Sequence, residues 1–194
     1  REGVYGLDIY TKNKTNIKRE KSKSPESKVH LVSGGTQANL IVISSILRPH
    51  ESVVSANTGH IFTNETGAIE ATGHKVHGVE TKDGKLRPED IQNVLDVHTN
   101  VPHQVKQKLV YISNSTEVGT IYTKKELENL SEFCKKKNLY LFMDGARLGH
   151  ALTAKSNDVN WEDVAKLTDV YYLGGTKNGA LIGEAIVINN KNLQ

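Results

Sequence analysis

Residues 29–47 read VHLVSGGTQANLIVISSIL. Val29–Val32 is a short run of strand-forming residues. A second apolar run, about Gln37–Leu47, has the length and composition of a helix. Ser33, Gly34, Gly35 and Thr36 join the two. A strand that turns through glycines straight into a helix is the opening of a β-α unit, and the rest of the chain repeats the alternation. Ser52–Ala56, Lys75–Val79, Leu109–Ser113, Leu139–Met143, Val170–Leu173 and Ala185–Ile188 read as strands. Between them, Asn64–Thr72 reads as a helix stopped at Gly73, and Pro88–His98 as a helix opened by proline. Thr123 and Glu126 form a capping box for a helix to about Lys137. Ala146–Leu152 and Asn160–Leu167 complete the set. The pattern predicts an α/β fold: a largely parallel, mixed sheet covered by helices on both faces.

Composition agrees with a folded domain. The chain has 194 residues, with 37% hydrophobic and 24% charged, enough for one real core and short for two. No apolar run approaches the roughly 20 residues of a membrane helix, and residues 1–11 lack the apolar centre of a signal peptide. These features predict a cytoplasmic protein with no membrane partner. The single cysteine, Cys134, excludes an internal disulfide framework and a cysteine-based zinc site. It falls in register with Leu127, Leu130 and Phe133, as a core filler would. His74 and His77 lie three apart on one strand and face opposite ways, a poor metal pair. No metal is expected.

Charge is uneven. Residues 11–28 hold seven lysines and arginines against Glu20 and Glu26, which leaves the remainder slightly acidic. No aromatic residues interleave with these lysines, so nucleic acid is not expected as a partner. The segment 1–28 reads as a partly helical basic arm in which Ile17 is the one convincing buried residue. Residues 29–194 read as the domain proper.

In parallel sheets ligands bind beyond the carboxyl ends of the strands. Three loops there are chemically loaded. Ser33–Gln37 leads into a helix whose first amides and dipole suit a phosphate, with Gly35 and Thr36 at its mouth; an ordinary glycine turn with a threonine cap fits the same residues. Asp144 follows an apolar strand, where a carboxylate either caps the next helix or faces a ligand cation. Arg147, three residues on, offers a fork for a carboxylate. Lys177 sits in GGTKNG (174–179), between glycine pairs after a buried strand, and can serve as a nucleophilic amine or as a surface charge. A fourth loop, Asn57–His60, ends in an imidazole able to stack on a planar ring. Phosphate cradle, carboxylate, amine and arginine together meet the needs of pyridoxal 5'-phosphate (PLP).

Four motifs in the same order sharpen this: SGGTQAN (33–39), GHIFTNETG (59–67), MDGARLGHAL (143–152) and GGTKNGA (174–180). They resemble the low-specificity L-threonine aldolases of the β-eliminating lyase group, and the resemblance runs from Tyr5 and Gly6 to Ile188. It implies the PLP-binding large domain of fold-type I (aspartate aminotransferase-like) enzymes, with an N-terminal segment and a smaller C-terminal domain outside this chain. By the same resemblance Lys177 is the Schiff-base lysine, Asp144 the partner of the pyridine nitrogen, and His60 the stacking and catalytic histidine. Gly35, Thr36 and Thr176 contact the cofactor, and Arg147 holds the substrate carboxylate. Asn114, Ser115 and Thr116 lie where many members place a histidine near the substrate. The implied activity is cleavage of L-threonine and related β-hydroxy-α-amino acids to glycine and an aldehyde, by a homodimer or homotetramer. Another PLP-dependent β-elimination, or a remnant of the fold without turnover, fits the same motifs.

Overall fold

A computed structural model describes residues 9–194; Tyr5 and Gly6 lie outside the described residues. Along the chain run α1 (Ile9–Lys21), β1 (Lys28–Val32), α2 (Gly35–Ile46), β2 (Glu51–Ala56), α3 (His60–Thr63), β3 (Val76–Val79), α4 (Pro88–Val97), β4 (Lys106–Ser113), α5 (Lys124–Lys136), β5 (Tyr140–Asp144), α6 (Leu148–Thr153), α7 (Trp161–Leu167), β6 (Val170–Gly174) and β7 (Glu184–Ile188). The strands form one sheet in the order β1-β7-β6-β5-β4-β2-β3. Strands β2 to β6 pair in parallel. Strand β7 is antiparallel to both β6 and β1, so β1 runs with the parallel set. The mixed, largely parallel sheet expected from the alternation is the one observed.

The pleat divides the core in two. Leu109 and Tyr111 of β4 face one side with Phe142, Tyr172 and Ile186, and Ala38, Val42 and Ile43 of α2 close over them. Val110 and Ile112 face the other side with Leu141, Met143 and Tyr171. There α5 buries Leu127, Leu130 and Cys134, while α4 adds Ile91 and α7 adds Val164. Each such side chain removed from water contributes about 1.5–3 kcal/mol. Helices therefore cover both faces. Helix α5 starts as expected: Thr123 Oγ1 accepts from the Glu126 amide, and Glu126 Oε2 accepts from the Thr123 amide. Burial pushes the Cys134 thiol up to about 12, which makes it an inert core residue. Among the described residues no helix is long and apolar enough to cross a membrane.

Two expectations fail. Ile17 is 53% exposed, and the buried residues are instead Thr15 of α1 and Ser22 just after its end. The helix docks through polar and long side chains. Ser22 Oγ donates to the Lys18 carbonyl at 2.8 Å, Arg19 Nε donates to the Ser27 carbonyl at 2.8 Å, and the Lys18 amine lies 5.0 Å from the centre of the Trp161 ring. Burial lowers the Lys18 amine to about 8. The apolar stems of these cations supply the contact that an aliphatic stripe normally gives.

The predicted helix over 64–72 is also absent. Helix α3 ends at Thr63, and the chain then passes through left-handed residues at Glu65 (φ 61°), Thr66 (φ 50°) and Gly67 (φ 76°). Three such residues in a row cannot continue a right-handed helix. Only a 3-10 turn at Glu70–Thr72 follows, stopped at Gly73 as expected. His74 falls just before β3; its Nδ1 lies 3.2 Å from the Glu51 carbonyl, and His77 Nε2 lies 3.1 Å from Ser52 Oγ. Both are buried structural histidines.

Candidate active site

Because β1, β2, β4, β5 and β6 run the same way, the loops after them open on one edge of the sheet, around a cavity of about 430 Å³. That volume is in the range of small-molecule sites. Gly35 and Thr36 line it from the loop after β1, and His60 from the loop after β2. Asp144 and Arg147 line it from the end of β5, and Thr176 and Lys177 from the loop after β6. The structure thus brings these seven residues onto one cavity; of the segment 114–116, Ser115 lines it and Asn114 and Thr116 do not. Strand β7 runs the other way, so its first residue, Glu184, lies at the same edge, paired in register with Gly174 and Val32.

The amino end of α2 forms one wall. Its cap, Gly34, is extended and offers no side-chain acceptor to the first amides. The neighbouring Gln37 turns back instead, and its Oε1 accepts from both the amide and the hydroxyl of Ser33 at 2.8 Å. The free amides and the dipole point into the cavity, as an anion site requires. A Cβ on Gly35 would sit 2.9 Å from the Tyr172 hydroxyl, so only glycine fits this cradle without displacing a buried tyrosine.

Asp144 forms the floor. It is 4% exposed, and register places it opposite Ser113 of β4. Oδ1 accepts from the Ala146 amide at 2.9 Å; Oδ2 accepts from the Tyr111 hydroxyl at 2.5 Å and from Asn39 Nδ2 at 3.3 Å. A carboxylate has about four acceptor positions, so one remains for a cationic N–H. Burial raises Tyr111 well above the ordinary phenol value and keeps it a donor.

Asn39 also donates to Glu65 Oε1 at 2.8 Å, and the same oxygen accepts from His60 Nδ1 at 2.9 Å. The network therefore runs from Tyr111 through Asp144, Asn39 and Glu65 to His60. The Glu65 bond is the main reason that the His60 imidazole is raised above its usual value; the charges of Glu65 and Asp144 add to it, against partial burial and the Lys177 charge. The left-handed backbone at Glu65 turns this carboxylate inward, and its side chain is only 1% exposed.

Lys177 sits on the 3-10 turn Thr176–Asn178 and is clamped from three sides. Asn178 Nδ2 donates to the carbonyls of Ala146 at 2.9 Å and Gly174 at 2.8 Å. His150 Nε2 donates to the Lys177 carbonyl at 3.0 Å, and the Gly175 amide donates to Glu184 Oε2 at 2.6 Å. Gly175 lies so close to the hairpin that a Cβ there would meet the Gly183 carbonyl at 2.3 Å.

One further acid lines the cavity. Glu117 Oε1 accepts from Ser113 Oγ at 2.7 Å and from the His60 amide at 3.1 Å. Burial raises its carboxyl above the usual value, and the charge of Asp144 adds to that; hydrogen bonds from Ser113, its own amide and the His60 amide oppose it.

Sequence reasoning missed Tyr111, Asn39, Glu65, Glu117 and Glu184. An asparagine inside the apolar run ANLIVI was the one clear signal, and Asn39 is indeed fully buried. The set as a whole can receive an anion at α2, hold a cation at Asp144, offer the Lys177 amine on the same cavity and meet a carboxylate with Arg147. The open Gly35 cradle, the spare acceptor position on Asp144 and the nearby amine fit a phosphorylated pyridine aldehyde.

Residues 22–194 match the family model described as Beta-eliminating lyase. The low specificity L-threonine aldolase of Pseudomonas aeruginosa is 34% identical over 99% of this chain and 56% of its own length. That of Candida albicans is 26% identical over 97% of this chain and 53% of its own. Among solved structures, a Leishmania major threonine aldolase superposes with a TM-score of 0.97 at 50% identity, over 100% of this chain and 56% of that one. The chain spans about half the length of the curated relatives it matches. On a match that includes every strand and all four chemically loaded loops, the chain belongs to the beta-eliminating lyase family.

Proposed function

We propose that this chain forms the cofactor-binding part of a PLP-dependent lyase. The enzyme cleaves L-threonine and related β-hydroxy-α-amino acids to glycine and an aldehyde. The observation that carries the reading is the convergence of Lys177, Asp144 and the uncapped start of α2 on one cavity of about 430 Å³. When bound there, PLP supplies an aldehyde for an amine to bond and a ring that accepts an electron pair.

The chain's own residues do the rest. The α2 amides and Thr36 bind the phosphate. Lys177 anchors the aldehyde carbon, and its clamped turn fixes where the amine starts. Asp144, held by Tyr111, Asn39 and the Ala146 amide, keeps a proton on the pyridine nitrogen. His60 covers the ring with its plane, and Arg147 orients the substrate by its carboxylate. Leu181 and Ile182, 97% and 68% exposed at the cavity mouth, support a homo-oligomer in which a second copy covers them.

The test is direct. Added PLP should give the complete polypeptide visible absorbance, borohydride should fix it on Lys177, and L-threonine should yield glycine and acetaldehyde. Label on another lysine overturns the cofactor site. Turnover of L-serine or β-substituted amino acids by elimination, with threonine inert, overturns the aldol reading.

A further inference from the structure

We infer that Glu117 is a further catalytic residue of this cavity, the carboxylate that takes the proton of the substrate's β-hydroxyl. The inference rests on the aldol-cleavage reading above and names the base that reading needs. Three carboxylates line the cavity: Asp144, Glu184 and Glu117. Asp144 holds three protein donors and is committed to the floor. Glu184 closes the lysine loop through the Gly175 amide. Glu117 is anchored on Oε1 by Ser113 and the His60 amide, on the wall beside His60.

His60 is the obvious competitor, and its surroundings argue against it. Its Nδ1 donates to a buried carboxylate, Glu65, which favours the protonated ring. A group that keeps its proton is a poor acceptor and a good neighbour for a developing negative oxygen. His60 thus stands as the cation of the pair, and Glu117 as the acceptor next to it. The remaining charged groups on the cavity are Arg147 and Lys177. Both are cations, and the proposed reading gives them to the substrate carboxylate and the cofactor.

The step balances. The β-hydroxyl O–H bond breaks, its proton passes to Glu117, and the oxygen's electron pair becomes the second bond of the aldehyde carbonyl. The Cα–Cβ bond breaks, and its pair stays on Cα, where a bound PLP would supply the electron sink. Return of one proton to Cα then gives glycine.

Glutamine separates this chemistry from mere anchoring, because its carbonyl still accepts from Ser113 and from the His60 amide. In the complete polypeptide, E117Q should bind PLP within about twofold of wild type and lower kcat for threonine cleavage by about 100-fold or more, with a smaller change in KM. Exchange of the glycine α-proton in heavy water needs no β-hydroxyl and should slow less than about tenfold. E117D, which keeps a carboxylate, should fall between wild type and E117Q. The cofactor-free protein gives a readout without turnover: burial raises the Glu117 carboxyl, so in an acid titration the infrared difference between wild type and E117Q should hold a protonated-carboxyl band that persists to higher pH than the bands of exposed carboxyls. Threonine cleavage by E117Q close to wild type overturns the inference and leaves the proposed function standing. So does equal loss of cleavage and glycine exchange, or loss of PLP, since each marks a structural role. A wild-type protein that binds PLP and exchanges glycine yet cleaves no threonine overturns the aldol reading and this inference with it.

Discussion

The Tyr111 hydroxyl donates to Asp144 Oδ2 at 2.5 Å, from the strand next to the one that carries the carboxylate. Both residues are buried, and burial holds the phenol in its protonated form, so the bond persists across the working pH range. Tyr111→Phe keeps the ring and its packing on Phe142 (centroids 5.7 Å apart) and deletes only the donor. Hydrogen bonds to charged groups contribute about 1.5–3 kcal/mol. Urea denaturation of the variant should show a loss of that size. A midpoint equal to wild type would mean that the bond adds nothing to the fold.

Asp144→Asn tests the floor itself. The amide keeps the shape and can still accept from the Ala146 amide, while the charge proposed to face a pyridinium is gone. The variant should retain part of its PLP and lose about 10- to 100-fold in turnover, the rate equivalent of one charge-assisted hydrogen bond. Steady-state kinetics at saturating PLP decides this, and wild-type turnover contradicts the role given to Asp144.

Glu65→Gln tests the cation next to the proposed base. The glutamate bond raises the His60 imidazole, so the variant's His60 should titrate lower by proton NMR. The sign for stability follows. A histidine raised in the folded state stabilises in its protonated form, fully so below the ordinary value of about 6.5. The contribution is lost as pH rises through the raised folded value. Glu65→Gln should therefore destabilise more near about pH 6 than near about pH 9, and the reverse trend contradicts the pairing.

Gly35→Ala places a methyl 2.9 Å from the Tyr172 hydroxyl. The buried tyrosine or the start of α2 must move, at a cost of about 1–3 kcal/mol for overpacking. Calorimetry should show weaker inorganic phosphate binding together with a lower melting temperature. Unchanged binding would place the anion elsewhere.

The alternation of strands and helices was legible because both sheet faces are buried and each strand is a dense apolar run. The lining of the candidate site was legible where the sequence carries rare local grammar: glycines before Thr36, Asp144 at a strand end, and Lys177 between glycine pairs. The partners of those residues were not. Tyr111 reads as one more aromatic residue in a strand, since nothing local marks the direction of its hydroxyl. Glu65 lies in a segment whose composition suits a helix, and only the tertiary pull of Asn39 and His60 explains its left-handed turn. Ile17 misled because apolar character usually predicts burial, whereas α1 docks through Thr15 and the stems of Lys18 and Arg19, with Ser22 buried just after its end. Glu117 stands one residue beyond the Asn114–Thr116 segment, and its value comes from bonds to neighbouring Ser113 and to distant His60, the second of which sequence spacing does not reveal.

The hairpin from β6 to β7 is tied shut at its base, where the Gly175 amide meets both Glu184 Oε2 and the Gly183 carbonyl. Beyond that knot Lys177 and Asn178 are held by His150, Ala146 and Gly174, while the stretch after Asn178 hangs outside the sheet ladder. Lys177 sits on the anchored limb, and Leu181 and Ile182 on the exposed one. Closing a somewhat longer loop costs little, about 0.6 kcal/mol for each doubling of length. Insertions and substitutions after Asn178 can therefore reshape the mouth of the cavity while the amine keeps its station.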